Sequence, residues 1–363
     1  MQLKKNIQNL KRIQTSLNRD LLKGINLDRN EKVDIFQDQL QNSIKKELTK
    51  NIFNSTPDIA SLYKKLSDYL RINKDNIYIT QGITEAISQI IFSLTKKNDE
   101  IIIMNETYPM YKIMCKLHNV KIKTWNFNRN FDLQISELKK KISKKTRIIF
   151  LVNPNLPIEY EFSHKIKREI YNLCLKKNIL LVYDEAYYHF GSKSELKNSV
   201  KKNNLVVMRT FSKGWGLPGI RLGFITGKKN IIEYISKCRS LVETNGFSFE
   251  IAKWALNNQK ILRDHVKLVK EGYKFISKNL NKLKDDFYGG KVTNAFILNL
   301  KTEKNCKDLR KYLRKKKVYI RDGFQNPIKT YVRISLCSPA KLKVFLSYYK
   351  KWKKKSKFRY QTI

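Results

Sequence analysis

One lysine of this chain lies in a short turn that also holds two hydroxyl side chains and an arginine. Lys213 follows Thr210 and Ser212 closely, and Arg221 comes eight residues later, after a glycine-rich run. A lysine amine attacks an aldehyde only when it is deprotonated, and a nearby cation or an apolar wall lowers its pKa toward neutrality. The two hydroxyls and the guanidinium suit a phosphate ester. The stretch predicts a Schiff-base lysine beside a phosphate site, with an ordinary basic loop as the alternative.

A second group of polar side chains follows an apolar run at residues 179–183. Asp184 comes at the end of this predicted strand, and Tyr187 follows three residues later. A carboxylate in this position could keep a ring nitrogen protonated, which makes a heterocyclic cofactor an electron sink. The tyrosine could donate to a ring hydroxyl. The alternative is an aspartate that caps a loop.

Three further stretches add groups of the same kind. The turn Gly82, Ile83 and Thr84 leads from a strand into a helix, and backbone amides at a helix start bind anions. Tyr108 precedes a proline just after another strand and could stack on an aromatic ring. Arg333 stands in an otherwise apolar strand and could bind a carboxylate with both of its nitrogens. Together with the lysine turn, these stretches predict one site.

The elements that would position these groups alternate between strand-like and helix-like patterns from about residue 77 to 226. This alternation predicts an α/β fold in which helices flank both faces of a mostly parallel sheet, with the polar groups where strands end. The predicted strands are 76–80, 100–104, 120–125, 147–152, 179–183, 205–208 and 222–226. The predicted helices between them are 85–94, 110–118 and 163–177.

Length and pattern together predict two domains. The chain has 363 residues, enough for a large core. We predict an N-terminal arm over residues 1–28, a large domain over 29–235 and a smaller α+β domain over 236–363. The smaller domain is expected to contain short strands at 296–300, 317–320 and 331–335, and to end in a basic tail.

The charge of the chain is unusual, because 75 basic residues against 31 acidic ones give a formal net charge of +44. Such a charge would ordinarily indicate a nucleic-acid partner. The lysines are scattered through nearly every segment, so we do not predict one. Residues 341–363 carry nine basic residues and no acidic one. They are predicted to form a helix with an apolar face at Leu342, Phe345, Tyr349 and Trp352; the alternative is a surface for bases or anionic lipid.

The five cysteines are far apart and contain no CxxC pair. They imply neither a disulfide framework nor a zinc site, and we predict no bound metal. The N-terminus has no apolar run of signal-peptide length, and no stretch is long enough to span a bilayer. The sequence therefore predicts a cytoplasmic protein.

Taken together, these residues resemble the fold-type-I pyridoxal-phosphate enzymes over about residues 24–337. The resemblance is to the class I and II aminotransferases and, within them, to the histidinol-phosphate aminotransferase branch. It implies that Lys213 carries the cofactor, that Asp184 faces its ring nitrogen and that Tyr187 contacts its ring oxygen. It further implies a phosphate site at Thr210, Ser212, Arg221 and residues 82–84, and ring stacking by Tyr108. Asn30, Arg333 and Arg321 are the substrate-side residues that we predict.

Two positions depart from the family pattern. The family's Asn-Pro-Asn-Asn-Pro-Thr-Gly run gives an asparagine to the cofactor's ring oxygen, whereas residues 153–159 here have Leu156 in that place and end in Glu159. Asn155 or Tyr187 is expected to compensate. The family's tyrosine before Pro-Asp, which reaches the neighbouring subunit's phosphate, is Thr56 here. Cofactor tuning is therefore expected to differ from the family's.

The expected function is an aminotransferase that moves an amino group between an amino acid or amino-alkyl phosphate and a keto acceptor. The resemblance implies a homodimer that acts on small molecules with ping-pong kinetics. A decarboxylase or lyase of the same fold, similar to threonine-phosphate decarboxylase, is one alternative. A non-catalytic basic scaffold that binds nucleic acid or an anionic surface is another.

Overall fold

The computed structural model describes residues 23–48 and 51–355. Its centre is a seven-stranded sheet. The strands are β2 (Ile77–Thr80), β3 (Glu100–Met104), β4 (Lys121–Trp125), β5 (Thr146–Val152), β6 (Leu180–Asp184), β7 (Leu205–Thr210) and β8 (Gly223–Thr226). Their order in the sheet is β2-β8-β7-β6-β5-β3-β4. All neighbouring strands are parallel except β8, which is antiparallel to both β2 and β7.

Helices cover both faces of this sheet. Along β6, Leu181 and Tyr183 pack into one apolar cluster, while Leu180 and Val182 pack into another on the opposite face. This alternation buries every side chain of the strand, as expected for a sheet covered on both faces. The helices up to residue 257 are α1 (Asp38–Lys46), α2 (Asn51–Asn54), α3 (Ala60–Leu70), α4 (Gly82–Leu94), α5 (Met110–Leu117), α6 (Ile135–Lys141), α7 (His164–Lys176), α8 (Leu196–Ser199), α9 (Lys229–Ser236) and α10 (Gly246–Asn257).

The remaining elements form a second group. Its strands are β1 (Ile25–Asn26), β9 (Phe287–Gly289), β10 (Ala295–Asn299), β11 (Val318–Tyr319) and β12 (Tyr331–Ser335), and its helices are α11 (Lys260–Lys282), α12 (Glu303–Lys315) and α13 (Pro339–Lys355). A three-stranded antiparallel sheet has the order β12-β10-β9. β1 and β11 form a short parallel pair in which Ile25 pairs with Val318. A third apolar cluster lies among them.

The predicted α/β class and mostly parallel sheet are confirmed. Each predicted strand of the large sheet is present, with ends that differ by a residue or two. The predicted C-terminal helix is also present as α13, and its four predicted apolar residues are buried. The predicted arm over 1–28 lies mostly outside the described residues, as does the tail beyond 355. Among the described helices, none is long and apolar enough to cross a membrane.

Candidate active site

The edge of the large sheet where β2, β6 and β7 end collects the predicted polar groups. Strand register accounts for this, because Thr80 and Thr210 both pair with Gly223, the first residue of β8. Asp184 ends the neighbouring strand and pairs with Met208. Carboxyl ends of neighbouring parallel strands meet at one sheet edge, which is where α/β folds bind ligands.

Lys213 lies in the turn between β7 and β8 and points toward the second group of elements. Its Nζ donates to the backbone carbonyl of Asn30 at 2.9 Å and is 5.8 Å from the ring centre of Tyr187. Burial is the main cause that lowers the pKa of the Lys213 amine from 10.5 to about 8; Arg333 and Arg221 act in the same direction, and Glu31 and Asp184 oppose it. The amine is therefore partly deprotonated just above neutral pH, as a nucleophile or base requires.

Asp184 is buried, with 2% of its surface exposed. Its Oδ2 accepts a hydrogen bond of 2.7 Å from the Tyr111 hydroxyl, and its Oδ1 accepts one of 3.0 Å from the Ala186 amide. Burial raises the pKa of the carboxyl group to about 6, although both hydrogen bonds act in the opposite direction. The carboxylate is thus fixed in place and mostly ionised at neutral pH, and it could hold a cationic N–H.

Thr210, Ser212 and Arg221 form a cluster of donors beside the first turn of α4. Thr210 Oγ1 lies 3.0 Å from Ser212 Oγ, and Arg221 Nη1 lies 3.5 Å from the same Ser212 oxygen. Gly82 begins α4 with a φ of +77°, and a Cβ on it would lie 3.1 Å from Arg221 Nη2. The guanidinium and the helix start therefore face the same space, where an anion would find both.

The other predicted groups around this space are also brought together. Thr84 Oγ1 lies 3.0 Å from the hydroxyl of Tyr108, whose side chain is partly exposed. Burial raises the pKa of the Tyr108 phenol, while Thr84 and Arg221 lower it. Ile83, by contrast, has a buried side chain in the apolar cluster under the sheet, so only its backbone is available to a ligand.

The substrate-side residues come from the second group of elements. Arg333 in β12 donates to the Asp28 carbonyl at 2.6 Å, and its Nε is buried without a partner among the described residues. Arg321 is paired with it by two backbone hydrogen bonds of 2.7 and 3.1 Å. Burial is the main cause that lowers the pKa of Arg333 to about 10; Arg321 acts in the same direction, and Tyr187 and Asp28 oppose it. Directly paired residues of an antiparallel bridge lie on the same face, so the two arginines can bind a common anion.

Asn30 and Tyr187 connect the two groups of elements. The Asn30 side chain donates to the Tyr187 hydroxyl at 3.4 Å, and its backbone amide donates to Ser335 Oγ at 2.9 Å. Burial raises the pKa of Tyr187, and Arg333 opposes that effect. Tyr187 is therefore a neutral phenol close to the lysine; its contact with a ring oxygen stays a prediction.

Asn155 was predicted to replace the missing asparagine donor, but its side-chain amide already donates to two backbone carbonyls. Its amide donates to the carbonyls of Glu106 and Ile158 at 3.2 and 2.9 Å, and its Oδ1 accepts from the Thr107 hydroxyl at 2.8 Å. The asparagine is completely buried in its own loop, so a contact with a ligand stays a prediction. Leu156 is buried too and offers no polar atom. Thr56, at the position of the family's cross-subunit tyrosine, is exposed.

Sequence reasoning missed three residues of this site. Tyr111 was given no role from the sequence, yet it donates to Asp184. Glu31 acts on the lysine amine, and Asn294 donates to the Asn30 carbonyl that also receives this amine. An asparagine directly before an apolar strand was the one available signal for Asn294, and it is too common to indicate a site.

Known proteins are similar to this chain over most of its length. A family model described as aminotransferase class I and II matches residues 20–348. A histidinol-phosphate aminotransferase of Methanocaldococcus jannaschii is 29% identical over 295 residues, which cover 78% of this chain and 77% of that one. A dihydroxyacetone phosphate transaminase of Campylobacter jejuni is 30% identical over 350 residues, which cover 93% of each chain.

Solved structures agree in fold. The histidinol-phosphate aminotransferase of Sinorhizobium meliloti in complex with pyridoxal-5'-phosphate superimposes with a TM-score of 0.81 at 19% identity, over 95% of each chain. At this identity the likeness shows the fold alone.

Proposed function

The chain belongs to the class I and II aminotransferase family and is a pyridoxal-phosphate-dependent aminotransferase, and we propose that Lys213 is the residue that carries its cofactor. One observation supports this above all: the lysine amine is buried, has a lowered pKa and lies among Asp184, Tyr187 and Arg221. A chain that only bound anions would not need a desolvated amine beside a buried carboxylate.

The residues present fit the cofactor. Thr210, Ser212, Arg221 and the start of α4 at Gly82 offer donors for its phosphate, and Gly82 keeps open a space that a Cβ would narrow. Asp184 offers a fixed carboxylate for a ring nitrogen, and Tyr187 offers a phenol for a ring oxygen. Leu156 offers no second donor there, so we expect weaker hydrogen bonding to that oxygen than in the family pattern.

Pyridoxal phosphate, when bound, supplies an electron sink for the electrons left behind when a substrate loses its α-proton. This chain's residues would move the protons. Lys213 Nζ takes the proton from the substrate and returns it at another carbon, which an amine with a pKa of about 8 can do in both directions near neutral pH. Asp184 keeps its carboxylate charge above about pH 6 and stabilises a cationic N–H beside it.

We further propose that one substrate of this enzyme is a phosphate monoester. The relatives named above carry a phosphate ester in their names, histidinol phosphate in one and dihydroxyacetone phosphate in the other. In this chain Arg333 and Arg321 lie next to each other on the substrate side, and Arg333 has a buried Nε without a partner in the described part of the chain. An arginine pair binds phosphate or carboxylate with high charge complementarity.

A paired substrate series tests this proposal. Histidinol phosphate is compared with histidinol as amino donor, and dihydroxyacetone phosphate with dihydroxyacetone as acceptor, under otherwise identical conditions. The phosphorylated member of at least one pair is expected to have a kcat/KM about 100-fold higher, which corresponds to about 2.7 kcal/mol. Arg321→Ala is expected to reduce that ratio. Equal kcat/KM values within both pairs would remove the support for a phosphate ester.

A parallel incubation with amino-acid donors, which carry an α-carboxylate that could leave as carbon dioxide, separates transamination from the decarboxylase alternative. Both named relatives are transaminases, and we therefore expect pyridoxamine phosphate to accumulate in a half-reaction without release of carbon dioxide. Carbon dioxide released in step with donor consumption would favour the decarboxylase instead.

We also propose that the protein is a homodimer. Phe53 and Phe247 form an edge-to-face pair on the surface, 73% and 42% exposed, and Leu241 nearby in sequence is 94% exposed. Exposed apolar side chains of this size are typical of an interface. Sedimentation of the wild-type protein should give a dimer, and the double variant Phe53→Asp, Phe247→Asp should give a monomer.

We further propose that the protein acts in the cytoplasm. All five cysteines are free thiols, which suits a reducing compartment. Cell fractionation tests this location.

A further inference from the structure

Glu159 is a buried carboxylate that receives four hydrogen bonds from one turn. Backbone amides of Gly290, Lys291 and Val292 donate to it at 2.9, 3.1 and 3.0 Å, and the Thr293 hydroxyl donates at 2.7 Å. Only 8% of the residue is exposed. Hydrogen bonds from backbone amides to a carboxylate are stronger than those between neutral groups, so this carboxylate and the turn hold each other in position.

The turn is built to receive this carboxylate. Gly289 and Gly290 have φ values of +85° and +94°, which lets successive amides point to the same side. A Cβ on Gly290 would lie 2.8 Å from Tyr273 Cδ2, so a larger residue there would force the tyrosine ring to shift. Glu159 itself lies in the loop between β5 and α7, at the place where the family's run has a glycine. The contact therefore joins the large sheet to the β9–β10 turn through a residue in which this chain departs from the family pattern.

This turn leads directly to the lysine. Asn294 follows Thr293, is 1% exposed, and donates through Nδ2 to the Asn30 carbonyl at 3.0 Å. The same carbonyl accepts from Lys213 Nζ at 2.9 Å. Asn294 Oδ1 remains buried without a partner among the described residues. The hydrogen bond from Asn294 Nδ2 to Asn30 is therefore the polar contact that holds this side chain in place, since its Oδ1 accepts none among the described residues.

We propose that Glu159 is a positioning residue for the transamination: by fixing the 290–293 turn it keeps Asn294, and through it the Asn30 carbonyl, against the amine of Lys213. When Lys213 is released from the cofactor, the Asn30 carbonyl holds its Nζ close to the substrate and away from bulk water. Loss of the Glu159 carboxylate lets the turn move, so that water reaches the amine. This inference rests on the proposed role of Lys213.

The groups around the Lys213 amine determine whether loss of the Glu159 carboxylate raises or lowers the pKa of that amine. Glu31 and Asp184 raise its pKa, Arg333 and Arg221 lower it, and burial lowers it most of all. The phenol of Tyr187 is neutral. Admission of water reduces the effect of burial and must raise the pKa toward 10.5. Removal of the negative charge of Glu159 acts in the opposite direction, so a rise in pKa distinguishes a loss of position from a loss of charge.

The test measures the pKa of Lys213 in the cofactor-free protein by competitive labelling with an amine-selective acylating reagent at a series of pH values. The labelled Lys213 peptide is quantified by mass spectrometry. Glu159→Gln is expected to raise the midpoint by about one pH unit, which reduces the rate at pH 8 roughly fivefold. Glu161→Gln is the matched control, because this exposed carboxylate of the same loop accepts its hydrogen bonds from Ser192 and Lys193 instead of from the 290–293 turn.

Asn294→Ala tests the second step of the chain of contacts and serves if Glu159→Gln does not fold, as judged by its thermal melting. In this variant only Lys213 and water can donate to the Asn30 carbonyl, and the labelling midpoint of Lys213 should rise here as well. An unchanged or lowered midpoint in either folded variant overturns the proposal. The proposed cofactor role of Lys213 is tested separately. Reductive trapping would find a cofactor attached to another residue, whereas the labelling midpoints report only on the effect of the 290–293 turn on the Lys213 amine.

Discussion

Replacement of Lys213 by methionine is expected to stabilise the cofactor-free protein near neutral pH. The lysine amine is largely protonated at pH 7, yet it lies in a site that favours the neutral form. Methionine has a similar length and carries no charge, so the variant avoids the cost of burying an ammonium group. The Asn30 carbonyl keeps a donor in the variant, because Asn294 still reaches it.

The magnitude follows from the pKa of the lysine. The difference between its ordinary value of 10.5 and its folded value of about 8 corresponds to about 3 kcal/mol at 1.36 kcal/mol per pH unit. Loss of the hydrogen bond to Asn30 offsets about 1 kcal/mol of that. The free energy of unfolding of Lys213→Met is thus expected to exceed that of the wild type by about 2 kcal/mol at pH 7.

The pH dependence distinguishes this cause from a general packing effect. Because the folded pKa is lowered, the unfolded chain binds more protons than the folded one between about pH 8 and 10.5, and wild-type stability rises with pH in that window. The advantage of the variant should therefore shrink as the pH rises from 8 to 10.5. Urea unfolding of both proteins at matched pH values measures it. A difference that stays constant over this range would refute the reasoning.

Three further substitutions test the surroundings of the lysine. Tyr111→Phe removes a donor to Asp184, so the pKa of that carboxyl should rise above about 6 and the acidic limb of kcat/KM should shift upward by about half a pH unit; an unmoved limb would contradict the assignment. Arg221→Ala should weaken pyridoxal-phosphate binding by about 2 kcal/mol, roughly 30-fold in Kd by titration, whereas the exposed Arg168→Ala should not. Gly82→Ala should lower the unfolding free energy by about 1 to 2 kcal/mol and weaken cofactor binding, because φ there is +77° and the added Cβ narrows the space beside Arg221; unchanged stability and Kd would count against that role.

Much of the site could be predicted because its residues lie in short, linear motifs. Lys213, Ser212 and Arg221 occupy a single turn, and Asp184 ends a strand that its apolar pattern makes recognisable. Strand order then brings such motifs to one sheet edge, since parallel strands end on the same side. The same logic explains why the boundaries of the large sheet were predicted within a residue or two.

The contacts across the two groups of elements could not be predicted in the same way. Glu159 meets its turn more than 130 residues along the chain, and no local pattern indicates that a carboxylate will find three free amides there. The pairing of Ile25 with Val318 was missed because two residues are too few to show a strand period. Asn155 was expected to serve a ligand, yet its loop uses the entire amide, which only the folded backbone reveals.

Reductive trapping tests the central claim most directly. The protein is loaded with pyridoxal phosphate, reduced with borohydride and digested, and the modified peptide is identified by mass spectrometry. The modification is expected on Lys213 alone, and Lys213→Met should not be labelled in the same digest. A protein that transaminates yet carries the reduced cofactor on another lysine, or on none, would contradict the assignment of this site.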